Sequence, residues 1–167
     1  MKIRVALLAM ALVLTGCAVR NDVTPSQGAA TVESYQGVVV ESIPGEKPIV
    51  TITNDASSAS DLFLSDLISG SGESVQAGAE VTVHYVGVGL DSGEEFDSSW
   101  DRGEPISFSL NSVIPGWSEG VVGMQVGGRR LLVIPGELAY GPAGIPQAGI
   151  GPNETLVFVV DLLNISQ

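Results

Sequence analysis

The sequence is poor in the side chains that metal sites and covalent catalysis use. Its 167 residues include one cysteine and one histidine. A disulfide needs two cysteines, and a zinc site needs several Cys, His or carboxylate ligands, so neither is expected. The carboxylates also lack the spacing of a calcium-binding loop. We therefore expect no metal and no cofactor, and a fold whose stability comes from its apolar core.

Basic residues are also scarce. Seven Lys and Arg stand against 19 Asp and Glu, which gives a formal net charge of −12. Proteins bind phosphate backbones through basic surfaces, so this composition excludes nucleic acid as a partner. It also excludes electrostatic docking to anionic lipid. Any attachment to a membrane must therefore come from a hydrophobic anchor.

The N-terminus carries a segment of the kind that precedes such an anchor. Lys2 and Arg4 flank the start of ten apolar residues, 5–14, a stretch typical of a secretory signal and short for a membrane span. The following Leu14-Thr15-Gly16-Cys17 resembles the lipobox of bacterial lipoproteins. The resemblance implies that residues 1–16 are removed and that Cys17 is lipidated on the extracytoplasmic face of the bacterial cell membrane. An ordinary signal peptide with an incidental cysteine is the alternative.

Composition divides the rest of the chain into a tether, an arm and one domain. Residues 17–35 are small and polar, which predicts a flexible tether. Residues 36–60 are expected to form an extended arm and linker. Two β-branched runs within it, 37–41 and 49–53, predict either a hairpin or an extended arm with a long turn. Residues 61–167 remain for a single domain.

The domain shows strand patterns around one short helix. Residues 80–86 alternate apolar and polar side chains, as a half-buried antiparallel strand does. Further strands are expected at 62–69, 95–97, 106–110, 129–134 and 155–165, with an irregular loop at 98–104 and a long surface loop at 139–152. Pro115 favours a short helix over 115–122. The prediction is an α+β fold, a mostly antiparallel sheet with one short helix.

Trp117 is the residue around which we expect the functional site to form. It lies in the first turn of the predicted helix, between two predicted strands. A large flat ring in that position packs against a sheet and makes a natural floor for an apolar pocket.

One motif in the same helix indicates a different chemistry. Gly116-Trp117-Ser118-Glu119-Gly120 fits the Gly-x-Ser-x-Gly nucleophile elbow of hydrolases. That elbow needs a large parallel sheet and a histidine that follows the serine in the chain. This chain lacks alternating strands and helices, and its histidine, His84, precedes Ser118. We interpret Ser118 as a solvated helix residue and His84 as a partly exposed strand residue.

Five segments together resemble one protein family in their order along the chain. They are His84-Tyr85-Val86-Gly87, Phe96-Asp97-Ser98-Ser99, Val113-Ile114-Pro115-Gly116-Trp117, Ala139-Tyr140-Gly141 and Leu156-Val157-Phe158. Their order is similar to that of the FKBP-type peptidyl-prolyl cis-trans isomerases, and the resemblance covers residues 61–166. It implies a half-barrel, an antiparallel β-sheet wrapped around one short α-helix. It also implies that the partners are proline-containing polypeptides and macrolide inhibitors such as FK506.

The resemblance implies site residues as well. Those implied for catalysis are Tyr85, Phe96, Asp97, Trp117, Tyr140 and Phe158. Those implied for substrate binding are Arg102, Phe108, Val113, Ile114 and Ile150. Arg102 is expected to pair with Asp97. The chain departs from the family pattern at Ile106, where an aromatic is common, and at Ile145, where a histidine is often found; we expect both to affect substrate preference.

The expected function is isomerisation of X-Pro bonds in exported proteins. These bonds interconvert over a barrier of ∼18–20 kcal/mol, because twisting breaks amide resonance. The twisted amide is less dipolar than the planar one, so an apolar pocket disfavours the ground state more than the transition state. A proline-binding or chaperone-like module of the same fold, with little catalysis, is the alternative.

Overall fold

A three-stranded antiparallel sheet begins the part of the chain that the structure, a computed structural model, describes, residues 31–166. Strands β1 (Thr31–Tyr35), β2 (Val38–Ser42) and β3 (Ile49–Ile52) pair in that order. The expected leader and Cys17 lie outside the described residues. Within those residues, no helix is both long and apolar enough to cross a membrane.

The small sheet decides between the two structures predicted for residues 36–60, a hairpin and an extended arm with a long turn. Strands β2 and β3 pair directly across the turn that separates them, so the predicted hairpin is confirmed. The predicted tether is wrong at its C-terminal end, because β1 pairs with β2 along its whole length. The Tyr35 ring also stacks on Phe63, with ring centroids 3.6 Å apart. These contacts come from residues distant in sequence, and the polar composition of the segment did not indicate them.

The remaining strands form a six-stranded antiparallel sheet. They are β4 (Phe63–Ile68), β5 (Glu80–Gly89), β6 (Glu95–Ser98), β7 (Ile106–Ser109), β8 (Arg129–Ile134) and β9 (Leu156–Ser166). Their order is β4-β8-β9-β5-β6, and β7 also pairs with β5. The long strand β5 pairs with β9 on one side and with both β6 and β7 on the other. Three strands, β6, β7 and β9, therefore border β5.

Two short α-helices complete the domain. Helix α2 (Pro115–Gly120) has proline at its first turn, as predicted, and ends two residues earlier than expected. It packs closely on the sheet through Gly116, where a Cβ would overlap the Ile134 side chain. With α2 against the antiparallel sheet, the α+β half-barrel is confirmed.

Helix α1 (Ser99–Arg102) occupies the stretch for which the sequence predicted an irregular loop. The Ser98 hydroxyl caps it by accepting a hydrogen bond from the Asp101 N–H, and Gly103 ends it with a φ of 75°. The prediction was wrong because one helical turn is too short to produce an apolar periodicity. The long loop expected at 139–152 contains two 3₁₀ turns, Gly141–Ala143 and Pro146–Ala148.

Apolar side chains are buried on both faces of the large sheet. On the face toward α2, Val81, Val83 and Tyr85 of β5 join the main core. On the opposite face, Val86 and Val88 pack in a second core that the small sheet covers. The predicted half-buried pattern of β5 is therefore correct for its first half only. Its second half is buried on both sides, because residues 31–52 shield it from water.

Candidate functional site

A cavity of about 370 Å³ opens between α2 and strands β5, β6, β7 and β9. It is lined by Tyr85, Phe96, Asp97, Ile106, Phe108, Ser112, Val113, Ile114, Trp117, Tyr140 and Phe158. Most of these side chains are apolar, and the polar groups are few. This combination is typical of a small ligand pocket.

Trp117 is the centre of the aromatic cage that forms the cavity. Its ring meets Phe158 edge to face at 5.2 Å between centroids, Phe108 at 5.3 Å and Tyr85 at 5.6 Å. Phe96 in turn meets Phe158 at 5.6 Å and 89°. Edge-to-face contacts of this kind are favourable and orient each ring. Trp117 therefore lies where the sequence predicted the pocket floor, and its neighbours hold it in place.

Gly87 makes the space that this cage needs. In the sheet it lies opposite Asp97 on β6 and opposite Phe158 on β9. A Cβ at this position would lie 2.8 Å from the Phe158 ring and 2.8 Å from the Phe96 ring. Any larger residue would therefore push both rings away from the strand and into the cavity.

A closed group of hydrogen bonds forms the polar wall of the pocket. The Tyr85 hydroxyl donates to Asp97 Oδ2, and Arg102 Nη1 donates to Asp97 Oδ1. Arg102 Nη2 donates to the Tyr85 hydroxyl at 2.9 Å. The guanidinium also lies 5.6 Å from the centre of the Tyr85 ring. The expected pairing of Arg102 with Asp97 is confirmed, and the ion pair also holds Tyr85.

These contacts fix the protonation of all three groups. Burial acts to raise the pKa of Asp97, but the hydrogen bonds from Tyr85 and Arg102 outweigh burial and bring that pKa below its usual range. Burial and the Asp97 carboxylate raise the pKa of Tyr85. The bonds to Tyr85 and Asp97 raise the pKa of Arg102. At neutral pH Asp97 and Arg102 are charged and Tyr85 is neutral, so this wall offers no group that exchanges protons there.

Two hydrogen-bond donors of the pocket remain available to a ligand. Within residues 31–166, neither the Ile114 N–H nor the Tyr140 hydroxyl has a hydrogen-bond acceptor. Tyr140 is 38% exposed. Burial, and to a lesser extent Asp97, raise its pKa, so the hydroxyl keeps its proton. The pocket can therefore bind peptide carbonyl groups beside an apolar cage.

Two predicted site residues lie away from the cavity surface. Arg102 bonds to Asp97 and Tyr85 but does not line the cavity, and 42% of its side chain is exposed. Ile150 is buried in the same core and forms a β-bridge with Ile145 within the long loop. That either residue contacts the substrate stays a prediction.

Ser112 lines the cavity and was not predicted at all, and Ile106, which also lines it, was expected only to affect substrate preference. Ile106 lies on the same face of β7 as Phe108, and this two-residue spacing was a signal that could have found it. Ser112 ends a 3₁₀ turn, Leu110–Ser112, whose sequence carries no periodic signal.

The geometry excludes the nucleophile elbow. The Ser118 hydroxyl donates to the backbone oxygens of Leu110 at 2.7 Å and Ile114 at 3.4 Å. His84 lies elsewhere, with Nδ1 2.9 Å from the Ser99 hydroxyl and its ring stacked on Trp100. Ser118 is partly buried, so its interpretation as a solvated residue was wrong; the helix packs it against backbone carbonyls.

Comparison with known proteins shows which family this chain is similar to. The family of FKBP-type peptidyl-prolyl cis-trans isomerases matches residues 71–163. A probable FK506-binding protein of Corynebacterium glutamicum is 56% identical over 106 residues, which are 62% of this chain and 86% of that protein. An FK506-binding protein of Streptomyces anulatus is 51% identical over 122 residues, which are 72% of this chain and 98% of that protein.

Solved structures show the same fold. The crystal structure of FkpA from Escherichia coli has a TM-score of 0.59 and 49% identity, and the match covers 66% of this chain and 51% of that one. The crystal structure of AtFKBP13 has a TM-score of 0.58 and 36% identity, with 65% of this chain and 96% of that one covered. All residues that line the cavity fall within the matched range 71–163. The chain belongs to the FKBP-type peptidyl-prolyl cis-trans isomerase family.

Proposed function

We propose that the protein catalyses cis–trans isomerisation of X-Pro bonds in exported polypeptides, and that it does so in the cavity around Trp117. The observation that carries the proposal is the aromatic cage. Tyr85, Phe108 and Phe158 pack on Trp117, and Phe96 packs on Phe158. The pyrrolidine ring of proline is a small, compact apolar group that can pack against an indole face.

The apolar cage supplies the main catalytic effect. A planar amide has a large dipole, and an apolar environment stabilises it less than water does. The twisted transition state has lost resonance and part of that dipole, so transfer into the cage lowers the barrier. Phe96, Phe158 and Trp117 provide the surface for this transfer.

The available donors hold the peptide while the bond turns. The Ile114 N–H binds one backbone carbonyl of the substrate, and the Tyr140 hydroxyl binds another. The Asp97–Tyr85–Arg102 group keeps the polar wall rigid. Rotation forms no covalent bond to the protein and moves no proton, which suits a site with no titrating group near neutral pH.

The isomerase function is tested by measuring exchange between the cis and trans forms of short X-Pro peptides by NMR, with and without the protein. We expect a saturable acceleration whose size depends on the residue before proline. FK506 should compete with the peptides and change the fluorescence of Trp117. Peptides that bind but exchange at the uncatalysed rate would instead identify a proline-binding module.

We also propose that the protein acts at the extracytoplasmic face of the membrane, anchored through lipid at Cys17. The lipobox-like Leu14-Thr15-Gly16-Cys17 supports this, because it follows a basic start and a short apolar run. The low count of basic residues leaves acyl chains as the source of membrane affinity. Fatty-acid labelling should tag the wild type and not Cys17→Ala. A Cys17→Ala protein that is processed and retained in the membrane like the wild type would contradict the anchor.

A further inference from the structure

An ion pair outside the pocket joins the small sheet to the segment that carries the polar wall. Lys47 lies at the end of the turn between β2 and β3. Its Nζ donates to Glu95 Oε1 at 2.9 Å and to Asp101 Oδ1 at 2.6 Å. Lys47 is outside residues 71–163, the range that matches the family, whereas both carboxylates are inside it. The contact therefore comes from a part of this chain that the matched domain does not include.

The two carboxylates flank the pocket residues of this segment. Glu95 is the first residue of β6, and Asp101 is the third residue of α1. Between and beside them lie Phe96, Asp97 and Arg102, which form one ring of the cage and two members of the polar wall. A shift of either end of the segment would therefore move groups inside the pocket.

Backbone pairing holds this segment on one side only. Strand β6 pairs with β5 through three residue pairs, with an irregularity between Gly87 and Val88. Among the described residues, β6 has no second strand partner. Side-chain contacts must supply the remaining restraint, and Lys47 bridges the two ends of the segment.

The charges of the two carboxylates favour a bridging cation at the position of Lys47. Burial raises the pKa of Glu95, and the neighbouring Asp101 carboxyl adds to that effect while Lys47 opposes it. Burial acts to lower the pKa of Lys47, but its bonds to Asp101 and Glu95 outweigh burial and raise that pKa. The ammonium thus separates two carboxylates that would otherwise repel each other.

The turn that carries Lys47 is itself fixed. Arg129 is fully buried, and its Nη1 donates to the Ser42 hydroxyl at 3.0 Å and to the Ile43 carbonyl at 3.1 Å. Its Nη2 donates to the carbonyl of Glu46, the residue before Lys47, at 2.7 Å. Lys47 is therefore held close to its acceptors, and forming the bridge requires little ordering of the backbone.

We propose that Lys47 is a positioning residue for isomerisation, because its bridge to Glu95 and Asp101 fixes the placement of Phe96, Asp97 and Arg102 in the pocket. Lys47 does not line the cavity, so it acts through β6 and α1. Through Lys47, the small sheet then contributes to the geometry of the pocket. The inference rests on the proposed isomerase function.

The kinetic test compares Lys47→Met, Lys47→Arg and Val40→Ala in the full chain in detergent, with the peptide exchange assay. Partly exposed ion pairs contribute little, so we expect kcat/KM to fall by only about 3-fold in Lys47→Met. Lys47→Arg should keep most of the activity, because it restores the charge. Adding Glu95→Gln to Lys47→Met should recover part of the loss in kcat/KM, because it removes the repulsion between the carboxylates of Glu95 and Asp101.

Val40→Ala is the matched control for a merely structural effect. Val40 is buried in the core between the two sheets, in the same small sheet as Lys47. Its truncation should lower the urea midpoint and leave kcat/KM unchanged while the protein is folded. A Lys47→Met protein with wild-type kcat/KM, or an equal loss in Val40→Ala, would overturn the inference.

A spectroscopic measurement separates failure of this inference from failure of the isomerase function. The Arg102 Nε–H signal in ¹⁵N NMR should shift or broaden in Lys47→Met and stay in place in Val40→Ala. An inactive wild type would refute the isomerase function, yet this signal would still report the position of Arg102. An Arg102 signal that is identical in Lys47→Met and the wild type refutes the positioning role.

Discussion

Replacing Arg129 with methionine tests whether the two sheets fold as one unit. The guanidinium is fully buried and makes five hydrogen bonds. Two go to Asp161 on β9, at 2.7 and 3.0 Å. The other three go to the turn of the small sheet, around Ser42 and Glu46. Loss of this one side chain therefore weakens the large sheet and its contact with the small sheet together.

The expected loss of stability in Arg129→Met follows from the Asp161 carboxylate, which stays buried without its partner. Removing one partner of a buried ion pair costs about 3–5 kcal/mol, because the other charge stays buried without compensation. With a urea slope of about 2 kcal/mol per molar, the unfolding midpoint should fall by about 2 M. Burial raises the pKa of Asp161 even in the presence of Arg129. Without Arg129 that pKa should rise further.

This raised pKa gives the variant a characteristic pH dependence. A carboxyl whose pKa is higher in the folded than in the unfolded state is penalised when it is ionised. The penalty is fully present above the folded pKa and disappears as the pH falls through the folded pKa toward the unfolded value of about 3.9. The stability deficit of Arg129→Met should therefore shrink between neutral pH and about pH 4.

Urea titration followed by tryptophan fluorescence and by hydrogen exchange measures both effects. Arg129→Met with Asp161→Leu should recover part of the loss, because the buried charge is gone. Amides of β2 and β8 should lose protection together. A free energy of unfolding within about 1 kcal/mol of the wild type would refute the reasoning. So would a separate first transition confined to the small sheet.

Three further predictions concern the pocket. Gly87→Ala places a methyl group 2.8 Å from both Phe96 and Phe158. We expect the free energy of unfolding to fall by about 1–3 kcal/mol and kcat/KM to fall as the rings move into the cavity. Unchanged values in urea titration and in the exchange assay would contradict this prediction. The rate should be flat from about pH 6 to 8, because the lowered pKa of Asp97 and the raised pKa of Tyr85 keep both groups from titrating there. A bell-shaped rate profile between pH 6 and 8 would contradict the protonation states given to Asp97 and Tyr85. The stabilisation of the fold by ionised Asp97 is fully present above about pH 3.9 and should be lost as the pH falls through its lower folded pKa.

Local sequence signals predicted the elements around the pocket. Alternation in residues 80–86 predicted the first half of β5, since a strand with one buried face has a two-residue period. Pro115 predicted the start of α2, because its fixed φ suits the first turn of a helix. Most residues of the cage around Trp117 belong to motifs on separate strands and on α2, and the order of these motifs along the chain indicated the family.

The features that the sequence did not predict depend on contacts between distant residues. The strand formed by residues 31–35 exists because it pairs with β2 and packs Tyr35 on Phe63. Burial of Val86 and Val88 on the second face of β5 depends on the same small sheet. The role of Lys47 required the positions of β6 and α1, since its acceptors are 48 and 54 residues away in sequence.

The most direct test of the proposed mechanism compares two phenylalanines on opposite faces of the same sheet. Phe158 packs on Trp117 in the cage, and Phe63 stacks on Tyr35 in the second core. We predict that Phe158→Leu lowers kcat/KM for X-Pro peptides by at least about 5-fold, whereas Phe63→Leu lowers the urea midpoint and leaves kcat/KM within about 2-fold of the wild type. Equal kcat/KM values for the two variants would contradict the claim that the aromatic cage around Trp117 carries the catalysis.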